Sequence, residues 1–168
     1  PDYDQVFDLC DRVAVLVGGD VCQTGTPQEI YDHPYSVSVA SVVGRINIFA
    51  ARRLTSSKSE HPEFMSLEGD HRLFAEKADV KKLGAINKNV WLAIRPENIS
   101  ISFGASFPED NLLKAVVTDV RPRGSSTLVE LDSNGLKLGA LVLRLVGLNV
   151  GDDCMLGLPP DRIHILAD

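Results

Sequence analysis

The side chains that could do chemistry are few and scattered. His33, His61, His71 and His164 fall in four separate segments. A metal centre needs at least three converging ligands, and this spacing predicts none. Ser125, Ser126 and Thr127 sit in no G-x-S-x-G elbow, so no activated nucleophile is expected there. Gly18-Gly19-Asp20 and Thr24-Gly25-Thr26 read as turns that lack the lysine of a phosphate-cradling loop, and no G-x-x-x-x-G-K-[ST] run occurs. The expectation is no catalytic residue, no resident cofactor and no metal. One cluster is different. Arg121, Arg123, Gly124, Ser125 and Ser126 set two guanidinium groups beside a glycine turn with free amides and hydroxyls, which could hold a small oxyanion. Read blandly, the same residues are a solvated hairpin tip.

The elements that would position these residues change character along the chain. In residues 2–11, Val6, Phe7, Leu9 and Cys10 recur at roughly helical spacing. Residues 12–17, RVAVLV, read as a buried strand, and the turn at 18–20 returns the chain as a second one. Thr26, Pro27 and Glu29 form a capping box at the start of a helix that Pro34 ends. Residues 36–43 predict a second short helix, stopped by Gly44. One hairpin and helix remnants are marginal alone, so residues 1–44 read as part of a larger domain. From residue 45 the pattern becomes about nine short strands separated by turns, which predicts a small β-barrel or sandwich over 45–168. Trp91, in the run 90–94, is expected in its core. Arg95 and Glu97 are expected on one side of an extended segment, tying strand ends together.

Charge divides the chain at the same place. Residues 1–44 carry seven acids and one base, the whole net charge of −6, whereas residues 45–168 carry 16 of each. A neutral barrel in a chain with 6% aromatics lacks the basic, aromatic groove of a nucleic-acid binder. No run approaches 18 apolar residues, and the first residues are acidic, unlike a signal peptide. Cys10, Cys22 and Cys154, odd in number and widely spaced, fit reduced thiols of a cytosolic protein.

Asp11-Arg12, Gly19, Gln23, Gly25-Thr26-Pro27, Glu29-Ile30-Tyr31, Pro34, Val39-Ala40, Val43-Gly44 and Asn47 together resemble the end of the nucleotide-binding domain of an ABC importer ATPase. Ala93-Ile94-Arg95-Pro96-Glu97-Asn98-Ile99 resembles the A-I-R-P-E-x-I signature of the TOBE domain, the OB-like barrel appended to such ATPases. The Gly124-Ser125 turn, the run Leu148-Asn149-Val150-Gly151-Asp152 and residues 159–166 fit its second half. The resemblance implies structural roles for Gly25, Thr26, Pro27, Glu29, Tyr31, Pro34, Gly44, Asn47, Arg95, Pro96, Glu97, Gly151 and Asp152. It also implies a parent that uses ATP and Mg²⁺, permease subunits as partners, and a place at the cytoplasmic face of the membrane. The barrel would be a regulatory module and form a homodimer; some relatives bind a regulatory protein or a substrate oxyanion there. Two departures matter. Pro1 falls where the family has its switch histidine, and the ATP-hydrolysis motifs do not occur. A stand-alone oxyanion-binding barrel is the alternative. Residues 55–88 match no family pattern.

Overall fold

Thr26 starts the helix Pro27–Asp32 for a local reason. Its Oγ1 accepts from the Glu29 amide at 3.2 Å, and the Glu29 carboxylate accepts from the Thr26 amide at 2.8 Å. Two amides at the helix start, which lack intrahelical partners, are thereby satisfied. Gly25 makes room for this: a Cβ there would stand 3.0 Å from the Glu29 carboxylate. We describe the fold from a computed structural model over residues 2–55, 60–103, 110–143 and 147–167. The expectation at Pro1, and most of the loop expected at 103–110, lie outside the described residues.

The chain divides into two compact units, Pro1–Ile46 with Leu166–Asp168, and Asn47–Ile165. The first contains α1 (Tyr3–Leu9), β1 (Val13–Val17), β2 (Asp20–Gly25), α2 (Pro27–Asp32) and α3 (Val37–Val42). β1 and β2 pair antiparallel across Gly18 and Gly19, both at positive φ as a tight two-residue hairpin requires. Ser36 caps α3, and Gly44 follows it at φ 95°. Val15, Ile30, Val39 and Val43 form a small core. The buried strand expected at 12–17 is only half right, because Val15 alone in β1 is buried and Leu16 is 59% exposed. A two-stranded sheet covered by helices on one face leaves the alternate residues outside.

The second unit contains β3 (Asn47–Arg53), β4 (Glu63–Ser66), β5 (Arg72–Phe74), the single turn α4 (Val80–Leu83), β6 (Asn89–Ile94), β7 (Ser100–Ser102), β8 (Asn111–Arg123), β9 (Ser126–Ser133), β10 (Leu136–Val142) and β11 (Asp153–Leu158). The final strand, β12 (His164–Leu166), completes it. The chain is therefore mainly β. The strands form two five-stranded sheets, in the orders β12-β6-β3-β4-β5 and β7-β11-β8-β9-β10. β8 shows the alternation that packs them: Leu113, Ala115 and Val117 are buried, while Leu112, Lys114 and Val116 face out. The inward residues of both sheets make one core that includes Phe49, Phe64, Leu92, Leu131 and Leu156. Each such side chain contributes about 1.5–3 kcal/mol by leaving water.

Read in parallel, the two sheet orders describe one motif used twice. β3, β4, β5 and β6 correspond to β8, β9, β10 and β11. Asn111 stands 64 positions after Asn47, and Leu158 stands 64 after Ile94, its counterpart in register. After β6 the chain makes a 3₁₀ turn at Pro96–Asn98, and after β11 another at Pro160–Arg162. Each turn then sends its strand into the opposite sheet, so β7 joins β11 and β12 lies beside β6. The two halves thus exchange their last strands.

Two asparagines fasten the exchange. Asn111 begins β8, yet its amide serves the edge strand of the other sheet. Its Oδ1 accepts from the Phe74 amide at 2.8 Å, and its Nδ2 donates to the Phe74 and Leu158 carbonyls at 2.9 Å each. Asn47 begins β3 and repeats the pattern. It accepts from the Gly139 amide at 2.7 Å and donates to the Gly139 and Ile94 carbonyls at 2.9 and 3.1 Å. In each case a side-chain amide stands in for a neighbouring strand, covering one residue of an otherwise open edge.

Candidate functional site

At the hairpin tip, β8 and β9 pair out to Arg123 and Ser126, with Arg121 opposite Leu128. Arg121 and Arg123 lie on the same side of β8, and both are exposed. The Arg121 Nε donates to Asp119 Oδ2 at 2.6 Å. That hydrogen bond holds the Asp119 carboxyl below its ordinary pKa and raises the Arg121 guanidinium. An oxyanion would have to displace this carboxylate. Gly124, at φ 69°, borders open space: a Cβ there would meet no atom within 4 Å. Among the described residues, the tip therefore offers the exposed Arg123 and a turn open to solvent at Gly124.

Three histidines are engaged as donors. His61 Nδ1 lies 2.9 Å from the Ala75 carbonyl. His71 Nε2 lies 2.8 Å from the Ser133 carbonyl, so that nitrogen carries a proton and cannot act as a base toward the neighbouring Ser133 hydroxyl. The hydroxyl itself donates to the Lys114 carbonyl at 2.6 Å. This junction joins the β4–β5 and β9–β10 turns, and Asn134 adds a bond to the Gly69 carbonyl at 3.2 Å. His164 Nδ1 lies 2.9 Å from Glu76 Oε2.

Among the described residues, Glu76 is strongly perturbed. It lies in the stretch that matched no pattern, and neither its spacing nor its neighbours marked it. Burial pushes its pKa upward, but hydrogen bonds from His164, Lys82 and the Ile165 amide outweigh that and bring it to about 2. The folded value lies below the unfolded one, so this contribution to stability is complete above about pH 4.5 and is lost as pH falls toward 2. Glu76→Gln is expected to reduce the pH dependence of unfolding between pH 4.5 and 2 by up to one proton, read by chemical denaturation across that range.

The family-pattern residues occupy turns and strand ends. Tyr31 joins Tyr3 and Phe7 in an aromatic cluster, and the Tyr3 hydroxyl donates to the Pro27 carbonyl at 2.8 Å. Pro34 is buried directly after α2. Gly151, at φ 94°, donates to the Val117 carbonyl at 2.8 Å, and Asp152 accepts from the Asn149 amide at 2.8 Å, locking the turn that leads into β11. Two expectations need correction. Pro96–Asn98 is a 3₁₀ turn, so Arg95 and Glu97 do not share a side of an extended segment; Arg95 is buried and Glu97 exposed. Proline at the first position of a turn has its φ already set for it. Trp91 is 38% exposed and not in the core, because β6 turns Leu92 and Ile94 inward.

The outer face of the second sheet is the most distinctive surface. A cleft of about 640 Å³ there is lined by Phe103, Lys114, Val116, Asp132, Asp153 and Met155, among others. Phe103 is 69% exposed, and Leu112 and Val116 also face solvent. Lys114 lies opposite Met155, and Val116 lies opposite both Asp153 and Asp132. A small apolar strip is thus flanked by one base and two acids.

The family model of the TOBE domain matches residues 92–166. The maltose/maltodextrin import ATP-binding protein MalK of Photorhabdus laumondii is 32% identical over 174 residues, which cover 99% of this chain and 44% of the relative. The sulfoquinovosyl glycerol transport ATP-binding protein SmoE of Agrobacterium fabrum is 31% identical, covering 97% and 44%. The spermidine/putrescine import ATP-binding protein PotA of Mycoplasmopsis synoviae is 31% identical, covering 98% and 34%. The chain spans less than half the length of these relatives. Among solved structures, the molybdate-binding protein ModG, determined with molybdate bound, shares the fold at TM-score 0.63 and 13% identity, over 73% of this chain and 96% of its own. Residues 92–166 are accordingly a TOBE domain in an OB-like fold, and the chain belongs with the C-terminal part of ABC importer ATP-binding proteins.

Proposed function

We propose that the chain is the regulatory and dimerisation region of the ATP-binding subunit of an ABC importer, placed at the inner face of the cell membrane beside permease subunits. The near end-to-end alignment with three such ATP-binding proteins, through both units in one order, carries this reading. No helix among the described residues is long and apolar enough to cross a membrane. The Thr26 amide at the start of α2, which could have faced a phosphate, is held by the Glu29 carboxylate. On this reading the role of the region is mechanical. A barrel that stays paired while ATP drives two ATPase domains together and apart gives that motion a fixed pivot.

The outer face of the second sheet suits the pairing. Val116 stands between Asp153 on β11 and Asp132 on β9, with Lys114 two residues before it on β8, charges that a second copy can satisfy reciprocally across a two-fold axis. Sedimentation of the chain at increasing concentration is expected to show a dimer. Val116→Asp, at an exposed position, is expected to weaken it more than about tenfold without unfolding the barrel. A chain that remains monomeric at high concentration counts against the reading.

A further inference from the structure

Asn134-Gly135 is the one Asn-Gly pair in the chain. Asparagine loses its side-chain amide most readily before glycine, which has no Cβ to shield the attacking backbone nitrogen. A two-residue hairpin turn selects the same pair for its conformation. Asn134 stands at φ 51° and Gly135 at φ 97°, between Ser133 and Leu136, which pair across β9 and β10. Both residues are exposed, and a Cβ on Gly135 would meet no atom within 4 Å. The groups that would react are each engaged. The Gly135 amide donates to Asp132 Oδ1 at 2.8 Å, and Asn134 Nδ2 donates to the Gly69 carbonyl at 3.2 Å. A carboxylate at hydrogen-bond distance from a nitrogen is placed to take its proton.

We propose that Asn134 is a self-modification site, which deamidates slowly with Asp132 as the base. The Gly135 nitrogen attacks Asn134 Cγ as its proton passes to Asp132. The new N–Cγ bond closes a succinimide ring. The Cγ–Nδ2 bond breaks, and Nδ2 leaves as ammonia with the proton that Asp132 held. Water then opens the ring. Addition at Cγ restores the backbone and gives aspartate. Addition at the main-chain carbonyl gives isoaspartate, whose backbone runs through Cβ and Cγ. Either product ends the donation to the Gly69 carbonyl, and aspartate sets a negative charge facing that oxygen. That bond helps join the β4–β5 turn of the first sheet to the β9–β10 turn of the second, so the modification loosens the two sheets at one corner. The inference stands on the chain's own chemistry and does not depend on the importer reading.

Peptide mapping by mass spectrometry tests this on the folded full chain, held at physiological temperature and neutral pH beside a free peptide of residues 131–137. The expected result is an NH exchanged for O at Asn134 in the chain, as a mixture of aspartate and isoaspartate, with Asn87, Asn98, Asn111 and Asn149 intact. Asp132→Ala is expected to slow the conversion in the folded chain by about tenfold or more. Asn134 intact in the chain while the free peptide converts would overturn the proposal, as would an unchanged rate in Asp132→Ala. The comparison of parent chain with peptide needs no variant, so it decides the matter if Asp132→Ala does not fold.

Discussion

Asn111→Ala is expected to lower the unfolding free energy by about 3 kcal/mol or more. The side chain is 7% exposed and makes three hydrogen bonds to backbone groups of two other strands. Alanine removes them all and leaves the Phe74 amide and the Phe74 and Leu158 carbonyls without their partner. Each buried polar group left unpaired costs about 1–3 kcal/mol, more than the net worth of the bond it lost. Asn111→Asp is expected to be worse still. The carboxylate could accept from the Phe74 amide, but it would place a buried negative charge against two carbonyl oxygens. Urea denaturation of both variants checks the order, with a constant slope as evidence that the unfolded state is unchanged. A loss below about 1 kcal/mol for the alanine variant would mean that water takes over the amide's role.

Leu92→Ala and Leu156→Ala are each expected to cost about 2–5 kcal/mol, the range for deleting a fully buried leucine. Both residues are 0% exposed and belong to the same core cluster. They occupy equivalent places, 64 positions apart, each on a strand one in from a sheet edge. Their costs should therefore agree more closely than those of two leucines chosen at random from the core. Because they share one core, the double variant is expected to depart from additivity. Thermal or urea unfolding of the three variants tests both statements. A large gap between the single variants would show that the halves pack differently despite their common order.

Features that depend on neighbouring residues were legible in the sequence. Thr26, Pro27 and Glu29 specify the helix they begin, and the Asn134-Gly135 turn specifies the hairpin it joins. The mainly-β character also followed from turn spacing. What was not legible is which face a strand turns inward when its residues are apolar throughout. Residues 13–17 and 90–94 are such runs, and Leu16 and Trp91 proved to face out. Periodicity has no purchase on a continuous apolar run. The doubled motif was harder. Residues 91–102, WLAIRPENISIS, and 155–166, MLGLPPDRIHIL, share only one leucine, one proline and two isoleucines at matched positions. The spacing of those four, with the initial asparagines 64 apart, is the signal that could have found it. Glu76 carried no signal, since its partners His164 and Ile165 are distant in sequence and arrive only with the last strand.

The exchange of final strands also sets an order of assembly. β6 waits for β12, whose first residue comes 70 positions after Ile94, so the first sheet stays unfinished until those residues have been synthesised. Until residues 164–166 have emerged, one edge of β6 is open, and an open edge is a template for pairing with another chain. Contacts so distant in sequence also slow folding. Chains that stop short of residue 164 should therefore be cleared or aggregate, rather than persist as a barrel with one strand missing.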